Sequence, residues 1–498
     1  MEIQFRQQAC PYLKKAAEQT MTQEQSQEVR LPEGMPDIGR VLGCWGQVII
    51  RGKEWRGNGM SVSGGVMAWA LYEPEDGSQA QSVECWIPFQ MKWEFPQTQR
   101  DGFIFVEPSV RSVDARSTSA RKLMVRACVS AAGQALEPAE ELIGIPEGLP
   151  EDVQLKTSRY PMEIPVESGE KLFELEENIP MPEGKPAVDK LIHYQLIPQV
   201  VEEKIMAGRL VFRGKANLNL LYWGQDGSLH TWQYQIPFSQ FAQLDRDVSD
   251  QAKAKIHVAV TSLDVEMDEA LGLKLRSSLS GQYVIYDQVM VDVTEDAYSN
   301  QRSVQLQQQE LALPLRLDEM KHSLELSGTV DAQAREIVEC WAVSEPPIVR
   351  QNEDTANVAL PATMYVLYVD GEGHLQCAAV KGDNSVEITS DGKNRVEISV
   401  KPGEVQAYHT ADGIAVTSQW DMDISVFSNQ GMEILSGLEL GEVVPLNPDR
   451  PSVIIKPLTE GSLWELAKAC GSTVEAIKNA NQLQQEPQFG QMLLIPVP

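Results

Sequence analysis

The chain has 498 residues, 42% of them hydrophobic, and a formal net charge of −29. That length exceeds one ordinary core and implies three or four domains, and the apolar fraction suffices to fill them. Phosphate would repel so acidic a chain, which excludes nucleic acid and anionic membrane as natural partners. The seven cysteines (10, 44, 85, 128, 340, 377 and 470) are scattered, with no C-x-x-C pair. Neither a disulfide framework nor a zinc site is expected, and the thiols read as buried groups in a reducing compartment. No apolar run reaches the ~18 residues that span a bilayer. The stretch Met1 to Thr20 has no apolar core of a signal peptide, so no export is expected.

Residues 1–30 read as a short amphipathic helical segment, with Ile3, Gln7, Cys10 and Lys14 on one side. A repeat follows. Pro32-Glu33-Gly34-Met35-Pro36 returns as Pro182-Glu183-Gly184-Lys185-Pro186, and Leu71-Tyr72 as Leu221-Tyr222. Val110, Val113 and Val125 return as Val260, Leu263 and Leu275, again 150 residues on. Ile87-Pro88-Phe89 returns as Ile236-Pro237-Phe238 at an offset of 149. A constant spacing over such distances marks a duplicated unit. A looser third copy carries Leu367-Tyr368 followed by Asp370-Gly371, with Val400 and Val416 in its second half.

Within each copy the apolar period is two: Val66, Ala68, Ala70, Tyr72; Ala216, Leu218, Leu220, Tyr222; Ala362, Met364, Val366, Tyr368. That is a half-buried strand. Asp76-Gly77, Asp226-Gly227 and Asp370-Gly371 come next as hairpin turns. The fold class is therefore mainly β, with tandem antiparallel sandwich-like domains over 31–150, 181–300 and 321–445. Linkers are expected at 151–180, 301–320 and 446–452. Pro346-Pro347 and the acidic run Asn352 to Asp354 read as an inserted loop of the third copy.

The tail, 453–498, changes character. Short apolar runs, Val453 to Ile455 and Met492 to Ile495, flank two short helical patterns. Ser462 with Glu465 and Ser472 with Glu475 form two capping boxes, and Gly471 stands between them as a helix stop. The unit is β-α-α-β. Catalytic constellations are missing from the whole chain. There is no phosphate loop, no H-E-x-x-H and no G-x-S-x-G; the six histidines are isolated, and adjacent carboxylates lie on one strand face or linker. No enzyme and no cofactor is expected. Trp45, Trp55, Trp69, Trp86 and Trp93 read as packing groups of the first copy.

The tail resembles the LysM domain through Gly461-Ser462-Leu463-Trp464, Leu466-Ala467-Lys468, Gly471-Ser472-Thr473-Val474, Ile477, Asn479 to Asn481 and Gly490 to Pro496. The resemblance implies a non-catalytic binder of N-acetylglucosamine glycans such as peptidoglycan. Its groove would lie between Thr459 to Leu463 and Asn481 to Gly490. Members usually place an Asp between the Gly and the Ser or Thr; here Gly461 runs straight into Ser462. Pro36-Asp37-Ile38-Gly39-Arg40-Val41-Leu42 and the strand, turn and Ile-Pro-Phe series after it resemble the SPOCS domain of clostridial sporulation proteins. Tandem copies ending in one LysM are similar to the SipL type of spore-coat morphogenetic protein. That resemblance implies a scaffold in the mother-cell cytoplasm, on the forespore surface, whose LysM docks a SpoIVA-like coat ATPase; peptidoglycan is the alternative ligand. Self-association of the β copies is part of the same expectation. The candidate binding residues are Thr459, Gly461, Ser462, Leu463, Trp464, Asn481, Leu483, Phe489 and Gly490.

Overall fold

A computed structural model describes residues 1–94, 102–268, 272–444, 451–458 and 462–497. The first unit contains β1 (Gln4–Arg30), β2 (Ile38–Arg56), β3 (Gly59–Pro74), β4 (Gln81–Glu94), β5 (Phe103–Ser119) and β6 (Lys122–Glu147). They form two antiparallel sheets ordered β2-β3-β4 and β1-β6-β5. The second unit repeats this with β7 (Val153–Ile179), β8 (Val188–Met206), β9 (Arg209–Gly224), β10 (Leu229–Gln243), β11 (Lys253–Asp268) and β12 (Gly272–Ser299). Its sheets are ordered β10-β9-β8 and β11-β12-β7. Alternating apolar residues of both sheets meet in one core in the first unit, among them Val66, Ala68 and Ala70 of β3 with Val125, Ala127 and Val129 of β6. This is the packing that the period-two pattern predicts.

The third unit keeps the plan but interrupts its long strands. β13 (Arg302–Leu311) and β14 (Arg316–Val330) together take the place of β7, broken around Pro314. β15 (Ala334–Ser344) and β16 (Ile348–Gln351) take the place of β8, broken at Pro346-Pro347. Proline lacks the ladder N–H, so these two breaks fall where one stands. Then come β17 (Thr355–Asp370), β18 (Leu375–Thr389), β19 (Arg395–Thr410), β20 (Gly413–Phe427) and β21 (Met432–Val443). β14-β20-β19 and β13-β21 are the two halves of the long ladder.

Four expectations are corrected by these ladders. Residues 1–30 are not helical: β1 pairs with β6 from Gln4↔Glu147 to Arg30↔Lys122. The partner lies more than ninety residues away at every position, and the polar outer face of β1 hides its alternation. Residues 151–180 and 301–320 are not linkers, since they hold β7, β13 and the start of β14. The supposed insertion is the broken strand β16, and Asn352 to Asp354 form its hairpin turn, with Asn352 N–H donating to Thr355 O at 2.8 Å. In the third copy the left-handed turn glycine is Gly373 (φ 91°) rather than Gly371, which shifts the hairpin by two residues.

The three units meet around equivalent positions. Bulges recur at Val41/Gly43, Leu191/His193 and Ile337/Glu339, and again at Val110/Ser112, Val260/Ser262 and Pro402/Val405. Counted from the second set, Glu107, His257 and Ser399 are the same position in β5, β11 and β19. Glu107 accepts from Lys255 at 3.0 Å and from Ser399, so one carboxylate of the first unit ties the second and third. Glu397 of the third unit accepts from Lys15 and from Gln134 of the first. Around this centre Lys53 pairs with Glu170 at 3.0 Å and Arg316 with Glu163 at 2.7 Å. His193, stacked on Trp45, meets Glu339 at 3.0 Å. A cavity of about 290 Å³ lies nearby, lined by Val110, Val260, Pro402, Ile197 and Val343 from all three units. Beyond this junction, the ends of the long ladders pack together through Ile3, Val153, Ala297, Leu435 and Leu438. Cys10, Cys44, Cys85, Cys128, Cys340 and Cys377 are free thiols, and burial pushes Cys44 and Cys377 up to about 12.

Burial alone would raise the Glu397 carboxyl. Lys15, Lys255 and Arg395 outweigh it and hold the group down at about 2. Its folded pKa is depressed, so its contribution is present above the ordinary carboxylate range and is lost as pH falls toward 2. Thermal unfolding followed from pH 7 to 2.5 should show the melting temperature dropping below pH ~4.5. Glu397→Gln should already lose roughly 3–5 kcal/mol at pH 7, as for other broken buried pairs, and should show a shallower acid slope. An unchanged slope would remove Glu397 from the junction's electrostatics.

Candidate functional site

The tail folds as β22 (Val453–Pro457), α1 (Leu463–Cys470), α2 (Val474–Ala480) and β23 (Met492–Pro496). β22 and β23 pair antiparallel, from Val453↔Pro496 to Pro457↔Met492. Leu463, Ala467, Cys470, Ile477, Leu493 and Ile495 form the small core. Gly471 ends α1 in the left-handed region (φ 63°, ψ 34°), as the sequence predicts. The two capping boxes do not form. Ser462 caps α1 by position but makes no side-chain cap bond. The cap of α2 is Thr473, whose hydroxyl accepts from Ala476 N–H at 3.0 Å. Ser472 instead donates its hydroxyl to Pro496 O and so ties α2 to the end of β23.

Trp464 aside, the predicted binding residues separate into three groups. Thr459 and Gly461 lie outside the described residues. Leu463 is core, Leu483 is half-buried against that core, and Asn481 is a clamp. The Asn481 amide donates to Ile477 O at 2.8 Å and to Leu494 O at 2.6 Å, and its oxygen accepts from Leu494 N–H at 2.8 Å. Ser462, Phe489 and Gly490 are exposed, Phe489 to 80%. Gly490 adopts φ 81°, and its N–H donates to Leu458 O at 2.8 Å, closing the base of the two loops.

Trp464 packs against the second unit. Its indole N–H donates to Asp296 Oδ2 at 2.7 Å, and its ring stands edge-on to Tyr298 at 4.8 Å. Lys468, one turn on, reaches the same carboxylate at 2.7 Å, and Tyr298 OH donates to Ser472 O at 2.9 Å. Asp296 and Tyr298 end β12, so α1 is docked on the second unit. Burial would raise the Asp296 carboxyl, but Lys468 and Trp464 hold it below the usual range. No sequence signal marks this contact, because its partners stand 168 and 172 residues apart.

The opposite side of the module is open. On β22 and β23 the register sends Ile454, Leu493 and Ile495 toward the helices. It sends Val453, Ile455, Met492 and Leu494 outward, where all four are exposed. The unbroken apolar runs at these strands are the signal for a sheet apolar on both faces. Among the described residues no group of His, Cys, Asp and Glu could hold a metal ion, and no helix is long and apolar enough to cross a membrane.

The fold and this module define a tandem β-domain protein with a small appended binding module. Residues 187–268 match the family model of the SipL, SPOCS domain, and residues 461–496 match that of the LysM domain. The chain thus carries a SPOCS domain, spanning β8 to β11, and a C-terminal LysM domain. Both are non-catalytic binding domains. No curated protein and no solved structure matches the chain.

Asp296→Ala removes the acceptor of both Trp464 and Lys468. It should free the indole, shifting tryptophan emission to longer wavelength, and destabilise the docked arrangement by ~1.5–3 kcal/mol, the scale of hydrogen bonds to charged groups. Hydrogen exchange in α1 should rise while the β22–β23 ladder keeps its protection. Unchanged emission and exchange would show that α1 is held by other contacts.

Proposed function

We propose that the chain is a non-catalytic scaffold of spore-coat or spore-envelope assembly, and that its LysM domain docks a coat-basement ATPase of the SpoIVA-like kind. One observation carries this reading: a SPOCS domain and a LysM domain stand in one chain, and the LysM is fixed by α1 while its sheet face stays apolar and exposed. The three units serve as a stiff body that holds the LysM at one place. A small interface with a few apolar anchors suits that task and requires no chemistry. The working place is the mother-cell side of the forespore surface, where assembly proceeds without export.

The second reading keeps the LysM as a binder of peptidoglycan glycan, and the family match favours it. Against it stand Leu463, Trp464 and Asn481, three candidate contacts already committed to the core, to Asp296 and to β23. The full chain should be retained by the immobilised ATPase and pass through insoluble peptidoglycan. Retention by peptidoglycan with none by the ATPase would overturn the proposal in favour of the glycan reading.

A further inference from the structure

The two edges of the LysM sheet are unlike. In the β22–β23 ladder, Ser452 O accepts from Val497 N–H, and Leu458 both donates to Gln491 O and accepts from Gly490 N–H. Counting by two, Ile454 and Lys456 also face β23 with their backbone groups. Val453 and Ile455 therefore aim their N–H and C=O groups away from it, at the outer edge of β22. On β23 the outward residues are Met492, Leu494 and Pro496; both backbone groups of Leu494 are taken by the Asn481 amide, and Pro496, which has no N–H, accepts from Ser472. The β23 edge is thus plugged by side chains. Among the described residues nothing bonds to the outward groups of Val453 and Ile455.

The open edge continues into the open face. Ile455 is 60% exposed, and Val453, Met492 and Leu494 stand exposed beside it. The surroundings carry little charge: residues 451–498 hold three lysines against four glutamates, a net −1 in a chain of −29. A second copy of the chain is a poor occupant. It would bring two strongly acidic bodies together over a five-residue hairpin, well short of the ~800 Å² per partner that stable dimers bury. An added strand needs far less area, because backbone hydrogen bonds supply affinity and alternate side chains supply fit.

We propose that the outer edge of β22 receives one extended, uncharged segment of the protein partner, which pairs with Val453 and Ile455 and lays its alternate apolar side chains beside theirs. The inference rests on the protein-docking reading above. It adds which edge is used and the chemistry of what binds: a strand with apolar residues at every second position. Pro457, which has no N–H, limits the pairing to a short ladder.

Proline at position 455 gives a selective test. The Ile455 N–H points outward, so Ile455→Pro removes an edge donor without removing a bond of the β22–β23 ladder. The full chain and its Ile455→Pro and Ile455→Val variants are titrated against the SpoIVA-like ATPase. The expected result is a Kd raised roughly tenfold or more for Ile455→Pro, through the lost donor and the ring's clash with the incoming strand, and little change for Ile455→Val. A second measurement is independent of any variant: the Val453 and Ile455 amides of the natural chain should exchange more slowly once the ATPase is bound. Tight binding with both amides unprotected, or a folded Ile455→Pro chain that binds as well as the natural one, overturns the strand proposal and leaves protein docking standing. A natural chain that does not bind the ATPase overturns both.

Discussion

Leu71, Leu221 and Leu367 occupy one position of a strand used three times, and each is wholly buried on the face that an isolated two-sheet unit would leave to water. That constraint shapes the molecule. Burying a leucine side chain is worth about 1.5–3 kcal/mol relative to leaving it exposed, so each unit needs its neighbours. The shared cluster accordingly joins Trp45 and Trp69 of the first unit, Ile192 and Tyr194 of the second and Leu367 of the third. The polar contacts at the same junction then fix its geometry. Glu107 with Lys255 and Ser399 and Glu397 with Lys15 are directional and half-buried, and leaving one unpaired is costly.

The contacts between the units extend to the far end of the body. The long ladders run out of the sheets and pack at Ile3, Val153 and Leu438, and β12 ends there with Asp296 and Tyr298. Those two residues hold α1 of the LysM. The module is therefore not a loose pendant, since its position is set by the second unit. Docking by the helix side leaves the sheet side free, and that side carries the apolar residues.

Much of this was legible in the sequence. The offset of 150 between Leu71 and Leu221 reappears as equal ladder registers, Gly43↔Leu71 and His193↔Leu221. Gly471 and the flanking apolar runs give the β-α-α-β unit, because local capping and period are short-range physics. What stayed hidden depended on distant partners. β1 reads as helix because its Gln- and Glu-rich outer face dilutes the alternation, and only β6 makes it a strand. Trp464 reads as a groove residue because nothing near it in the chain points to Asp296. Ser472 and Thr473 are both able to cap α2, and the choice was made by Pro496 O, twenty-four residues on.

The central claim is that the LysM sheet, rather than the loops at the helix ends, meets a protein partner. Methyl NMR of the full chain reads it directly, with the ATPase and a chitin oligosaccharide added in separate titrations. The account predicts that the ATPase shifts the methyls of Val453, Ile455, Met492 and Leu494, and that the oligosaccharide leaves them in place. Shifts confined to Leu463 and Leu483, or produced by the oligosaccharide alone, would contradict it.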